Sequence, residues 1–281
     1  MAYKAVQQIM LGSVCGSEAQ ARSTLAAVKA AGYDGVELND FMITKTPFLV
    51  RALTRAAGMP TGKGGALDWP RLMREAGLVT VALHTNLGAL KSDAATCVAR
   101  CRELGTQTAV ITGMYRFDYS DPDAVDGLAR DLNECGRALL DQGINLLYHN
   151  HNCELRRCGD ARAYERIVDR TDPELVNFEF DSYWMAEAGV DPAAMMRSLG
   201  SRLRMHHIND RGARVEGPQM TPILKSDSME LGCGNMPLAE LLGIALDAGV
   251  GAVVLESHRN WAEKSPVRSL QVSAEWLNSH M

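Results

Sequence analysis

Hydrophobic and polar positions alternate with two periods along this chain. Six times, a stretch with apolar residues at helical spacing ends in a glycine and passes into a short apolar run. The junctions are AAG at 30–32 before YDGVEL, EAG at 75–77 before LVTVALH, ELG at 103–105 before TQTAVI, DQG at 141–143 before INLLYH, SLG at 198–200 before SRLRMHH, and DAG at 247–249 before VGAVVLE. A glycine just past a helix takes the left-handed C-cap conformation, where a Cβ is penalised. Six such junctions imply six returns from helix to strand. A first strand around Val6 to Val14 and another at LVNFEF, residues 175–180, bring the expected strands to eight.

Between them the pattern predicts helices over Ser17 to Ala31, Pro47 to Ala57, Lys91 to Leu104, Asp121 to Asp141, Asp160 to Asp169, Asp191 to Leu199, Pro237 to Ala248 and Pro266 to Asn278. Two open on Asp followed by Pro, at Asp121 and Asp191, a favoured helix start. Strict alternation of helices with apolar strands indicates a parallel sheet covered by helices. Eight units in under three hundred residues point to a closed α/β barrel of the (β/α)8 TIM type, one domain over residues 1–281. A doubly wound dinucleotide fold would want a GxGxxG turn after its first strand, and LGSVCG at 11–16 lacks that spacing. The long glycine- and proline-bearing stretch from Asp210 to Asn235 reads as a functional loop.

Composition narrows the class. The chain is 46% hydrophobic and 22% charged, with a formal net charge of −5 and scattered basic residues, so neither a nucleic-acid nor a membrane surface is indicated. Seven cysteines without CxxC spacing suggest reduced thiols, and with no signal-peptide pattern or membrane-length apolar run the expectation is a cytoplasmic protein. A homo-oligomer is compatible with the sequence.

Candidate chemistry sits at the strand ends. In INLLYHNHNCE, residues 144–154, the strand period places His149 and His151 on one face and Tyr148 and Asn150 on the other. Strand six ends at Asp181, strand seven at His206, His207 and Asp210, strand eight at Glu256 and His258, and earlier strands add Glu37, His84 and Asn86. Each has a plain structural explanation alone: Asp181 as a helix N-cap, His84 as a core histidine, Glu256 as a surface carboxylate. In a parallel barrel, however, all these ends open on one mouth. Mixed imidazole and carboxylate ligands suit one Mn²⁺, Co²⁺, Zn²⁺ or Fe²⁺, with Mg²⁺ also in range and Mn²⁺ the first expectation. Such an ion suits α-proton abstraction from a sugar through a metal-stabilised enediolate, a flanking carboxylate or histidine moving the proton.

The motifs GVEL at 35–38, AGLVTVALH at 76–84, YHNHNCE at 148–154, FDSYWMAEAGVDP at 180–192, HIND at 207–210, LGCGNMPL at 231–238 and VLE at 254–256 together resemble the xylose-isomerase-like barrels, which include sugar-phosphate isomerases and epimerases. The resemblance runs over essentially the whole chain. It implies a divalent-metal-dependent sugar isomerase or epimerase, with His149, Asp181, His207 and Glu256 holding the ion and Glu256, His151 and His149 in catalysis. It also implies a sugar or keto-polyol pocket lined by Glu37, His84, Asn86, Glu154 and Trp184, and Asp210 orienting a ligand histidine. Two departures bear on the reaction. Ketose epimerases of this group usually carry a glutamate where His149 stands, and Asn209 replaces the lysine of the usual His-x-Lys-Asp. The Tyr-His-x-His form of strand five is similar to inosose dehydratases, so elimination of water from a keto-polyol is the alternative; a sugar-binding barrel without turnover is a third reading.

Overall fold

The computed structural model describes residues 2–44, 67–114, 116–214 and 225–281. Eight parallel strands close into a ring in chain order: β1 (Tyr3–Gln7), β2 (Gly35–Asn39), β3 (Val79–Thr85), β4 (Thr108–Ile111), β5 (Asn145–His149), β6 (Val176–Asp181), β7 (Leu203–Ile208) and β8 (Ala252–Leu255), with β8 pairing back to β1. The principal outer helices are α1 (Glu18–Ala30), α2 (Trp69–Ala76), α3 (Ala94–Leu104), α4 (Pro122–Leu140), α5 (Ala163–Arg170), α6 (Pro192–Leu199), α7 (Leu238–Asp247) and α8 (Pro266–His280). All six junction glycines have positive φ, from 52° at Gly200 to 101° at Gly32. They are the helix-to-strand returns that the sequence pattern marks.

Several expected boundaries shift, each for a local reason. The first strand stops at Gln7, whose side-chain carbonyl accepts the Ile9 N–H at 2.7 Å and starts a 3-10 turn over Gln8–Leu11. Met10 and Leu11 are buried there, so the apolar run outlasts the strand. The expected helix from Lys91 to Leu104 is two helices, Leu87–Ser92 and α3, because Asp93 ends one and caps the other through Thr96 N–H at 3.1 Å. α5 begins at Ala163, after a two-stranded ribbon of Arg157–Cys158 with Ala161–Arg162 occupies the residues before it. The expected helix from Pro47 to Ala57 lies outside the described residues. α2 is the helix that the Gly77 junction implies, although the expected helices give no range for it. The stretch from Asp210 to Asn235 contains an antiparallel hairpin of Asp210–Gly212 with Asp227–Met229.

The barrel interior is layered. Ala5, Ala82, Val110, Leu147, Met205, Ala252 and Val254 form a separate apolar cluster from the main core between sheet and helices. One interior position further along the strands, toward the C-terminal ends, the side chains become polar and charged while remaining buried. These apolar residues fill the barrel beneath the polar layer, which therefore rests on an apolar floor.

Candidate metal centre and active site

The polar layer has two levels. In the lower one, Glu37, His84, His149, Glu179 and His207 are all buried, and every ring faces a carboxylate. Glu179 Oε2 lies 2.9 Å from His84 Nε2, 2.9 Å from His149 Nδ1 and 3.2 Å from His207 Nε2. Glu37 adds Oε2 at 2.6 Å from His207 Nε2 and Oε1 at 3.0 Å from His84 Nε2. The strand register slips beside each glutamate, between Val36 and Leu38 on β2 and between Phe178 and Glu179 on β6. Such irregularities re-aim side chains in barrels.

Burial alone would lower the His84 and His207 pKa values. The facing carboxylates more than offset it, raising His84 to about 10 and His207 well above its ordinary value. Burial conversely would raise Glu179, but His207 and His84 hold it well below the carboxylate range. His84, His207 and Glu179 therefore form a charge-paired unit, which is how buried ionised groups persist.

The upper level is built on it. Asp181 and His207 are register partners on β6 and β7, so their side chains rise together. His207 Nδ1 lies 2.9 Å from Glu256 Oε2 and 3.9 Å from Asp181 Oδ2. One ligand atom from each of His149, Asp181, His207 and Glu256 lies within 4.8 Å of the others, and all four residues are buried. His84, His149, Glu179 and His207 satisfy the same spacing, but there the facing nitrogens and carboxylate oxygens are already paired with one another.

The upper set fits a divalent ion by the chemistry of its donors. His149 turns Nδ1 to Glu179, leaving Nε2 as donor; His207 turns Nε2 to Glu37, leaving Nδ1 beside Asp181 and Glu256. A carboxylate on the rear nitrogen is the usual support of a metal-binding histidine. Burial raises Asp181 to about 7, with His149 lowering and Glu256 raising it, so in the metal-free protein this carboxylate holds a proton more readily than an ordinary aspartate.

Asp181 also performs the structural role the sequence allowed it. Its Oδ1 accepts the Trp184 N–H at 3.0 Å and caps the helix Ser182–Glu187. Asn150, on the outer face of β5, clamps the same strand end: its Oδ1 accepts the Asp181 N–H at 2.9 Å and its Nδ2 donates to the Asp181 carbonyl at 3.0 Å.

Above the donors opens a cavity of about 530 Å³, lined among others by Gln7, Asn39, His84, His149, His151, Trp184, Glu256 and His258. The Trp184 ring stands between the imidazoles of His151 and His258, at centroid distances of 5.8 and 5.9 Å. His151 packs edge-on to His149 at 4.9 Å, and burial, with the neighbouring His149 ring acting in the same direction, pushes its pKa down to about 3. Its ring is therefore neutral in the metal-free protein.

Other candidates from the sequence lie elsewhere. Glu154 is buried behind the strand end, accepting the Tyr148 hydroxyl at 3.0 Å and the His151 backbone N–H at 3.0 Å, and so fixes the turn that carries His151. Asn86 is exposed and caps the helix Leu87–Ser92 through Ala89 N–H at 2.8 Å. Glu37 lies beneath the donors and braces His207. His206 points away from the mouth to Ser182 Oγ at 3.1 Å. Asp210 corrects an expectation: its carboxylate accepts the backbone N–H groups of Arg211, Gly232, Gly234 and Met236 and organises the following loop rather than orienting a histidine. Sequence reasoning passed over Glu179. Its signal was parity, since it stands two residues before Asp181 on the same strand face.

A family model described as xylose isomerase-like TIM barrel matches residues 25–280. An inosose dehydratase of Mesomycoplasma hyopneumoniae (strain 7448) is 35% identical over 85 residues, a match covering 30% of this chain and 28% of that protein. Among solved structures, a sugar phosphate isomerase/epimerase from Parabacteroides distasonis ATCC 8503 superposes with a TM-score of 0.77 at 18% identity, over 98% of this chain and 93% of that one. A xylose isomerase-like TIM barrel protein from Mycobacterium smegmatis, in complex with magnesium, gives 0.66 at 13% identity over 99% and 96%. At these identities the structural likeness is one of fold.

Proposed function

This chain belongs to the xylose isomerase-like TIM barrel family, and on that premise we propose that it is a divalent-metal-dependent sugar isomerase or epimerase that begins by removing the proton beside a carbonyl. The observation that carries the reading is the convergence of His149, Asp181, His207 and Glu256 within 4.8 Å at the base of a cavity with an aromatic wall. When bound there, a divalent ion such as Mn²⁺ supplies Lewis-acid polarisation of a carbonyl and its neighbouring hydroxyl.

The chain's own groups do the rest. Glu256 reaches the cavity with one carboxylate oxygen beside His207 and the other 3.8 Å from His258 Nε2, a position from which it takes the substrate proton. His151 sits beside the Trp184 face, where it is placed to exchange a second proton with a substrate oxygen or carbon. The Trp184 ring offers an apolar surface to the C–H face of a sugar, and its neighbours narrow the space left for water. Glu37 and Glu179 hold the rear nitrogens of the ligand histidines and keep their tautomers fixed.

A second reading is elimination of water from a keto-polyol after the same first step. It is favoured by His149 standing where an epimerase of this kind would carry a glutamate, and by the similarity to an inosose dehydratase. The test starts with metal analysis of protein purified without added metal, then with Mn²⁺ supplied. Keto-sugars and an inosose follow by proton NMR in D₂O. Stoichiometric metal and chelator-sensitive exchange of the α-proton support the proposal; protein that takes up no metal and exchanges no proton refutes it. Absorbance of a conjugated enone during turnover would assign the reaction to elimination.

A further inference from the structure

Among the described residues, positive charge at the mouth is compensated from within. Among the described residues lining the cavity, Arg259 carries the one permanent positive charge, and its Nε lies 2.9 Å from Asp227 Oδ2. The carboxylates of Glu187, Asp227 and Glu256 share the same lining, and each faces a cationic partner: Arg211 at 3.3 Å, Arg259 at 2.9 Å and His207 at 2.9 Å. A phosphoryl group brings close to two negative charges at neutral pH, and to meet them Arg259 would have to give up Asp227, since no other permanently cationic side chain is among the described lining residues.

Backbone N–H groups are the other means by which a barrel holds phosphate, typically from loops near strands seven and eight. The turn after β7 does present convergent donors. They are already used: Gly232 and Gly234 donate to Asp210 Oδ2 at 3.0 and 2.8 Å, and Met236 donates to Oδ1 at 3.0 Å. Converging N–H groups of this kind form an anion nest, and this chain fills the nest with its own carboxylate. Asp210 is 1% exposed, so an incoming phosphate would have to leave a buried carboxylate without partners.

The remaining lining suits neutral, hydroxyl-bearing molecules. The Asn39 amide donates to Gln7 Oε1 at 2.8 Å, and both residues line the cavity. Amides and imidazoles can each give and accept hydrogen bonds, which matches the dual character of hydroxyl groups.

From these observations we infer that the substrate is an uncharged keto-sugar or keto-polyol and enters the site without a phosphoryl group. The inference rests on the proposed function and narrows its substrate class. The experiment uses the full-length, Mn²⁺-loaded protein in D₂O with a ketopentose and a ketohexose, each paired with its terminal phosphate ester, and an inosose. Exchange of the α-proton is read by NMR for each, alone and with millimolar inorganic phosphate.

Exchange on a neutral compound that exceeds its ester on the order of tenfold or more, and that phosphate does not slow, supports the inference. Equal or faster exchange on a phosphate ester, or competitive inhibition by phosphate, overturns it while leaving the metal-dependent proton abstraction standing. Metal-loaded protein that exchanges no proton on any of these compounds removes the proposed function, and the substrate class with it.

Discussion

The Nδ1 of His149 lies 2.9 Å from Oε2 of Glu179, two residues that are register partners on neighbouring strands and both fully enclosed. That one contact sets which nitrogen of His149 is free to face the mouth. The same carboxylate oxygen reaches His84 and His207, so a single side chain aligns three imidazoles. Replacing it as Glu179→Gln removes the charge that favours the present orientations while keeping the volume. The expected result is a folded protein whose metal affinity falls on the order of 10- to 100-fold, the range seen when the rear support of a ligand histidine is lost. Metal titration alongside circular dichroism reads both; unchanged affinity would show that Glu179 does not position the donors.

In the proposed function Glu256 both binds the ion and receives the substrate proton, and the two roles separate by measurement. Glu256→Gln keeps one oxygen donor beside His207 but cannot take a proton. Turnover and α-proton exchange should fall by roughly 10²- to 10⁴-fold, the usual contribution of a positioned base, with a smaller loss of metal content. Substrate dissociation measured on the loaded variant should change less than kcat. Exchange at the parent rate would move the base elsewhere in the mouth.

These roles differ in how far the sequence discloses them. His149, Asp181, His207 and Glu256 each close an apolar strand, and strand parity with a parallel-barrel reading is enough to place them at one mouth. Glu179 sits between Phe178 and Phe180 inside an apolar run, and only counting back from Asp181 would have shown that it faces inward. Asp210 was misread because its partners, at Gly232, Gly234 and Met236, lie more than twenty residues on, and the turn that brings them back leaves no local periodic signal. Boundaries failed for a similar reason. Asp93 ends one helix and starts another through side-chain hydrogen bonds that a hydrophobic pattern does not record.

Acid should act on the scaffold through Glu230, which is not among the candidate metal donors. Its Oε1 accepts from Ser269 Oγ at 2.6 Å and from the Ala262 N–H at 2.9 Å, and its Oε2 pairs with Arg214 at 2.7 Å. Burial would raise this carboxyl, but the Ser269 and Arg214 hydrogen bonds more than offset it and hold it below its ordinary value of about 4.5. A depressed folded-state pKa gives stability that is fully present above the unfolded value and is lost as pH falls through the folded one. Glu230→Gln is therefore expected to cost roughly 1.5–3 kcal/mol at pH 7, with the gap from the parent protein narrowing as the pH drops below about 4.5. Denaturant melts across pH 3.5 to 7 test it, and a gap that stays constant would show that the charge on Glu230 contributes nothing.

Two glycines on α4 should respond in opposite directions to the same substitution. At Gly136 a Cβ would come within 2.5 Å of the Leu175 carbonyl oxygen and 3.1 Å of the Leu175 Cβ, at the entry to β6. Backbone cannot step aside as a side chain can, so Gly136→Ala must shift the helix or the strand that carries Glu179 and Asp181. Overpacking of this kind costs about 1–3 kcal/mol, against at most about 1 kcal/mol gained from alanine's helix propensity. At Gly127 the nearest atom is the flexible end of Arg130 at 3.6 Å, which leaves room for the methyl group. Gly127→Ala should stabilise by about 0.5–1 kcal/mol. Because the two sites share one helix, equal effects in chemical denaturation would mean that the close approach of α4 to Leu175 does not limit the packing there.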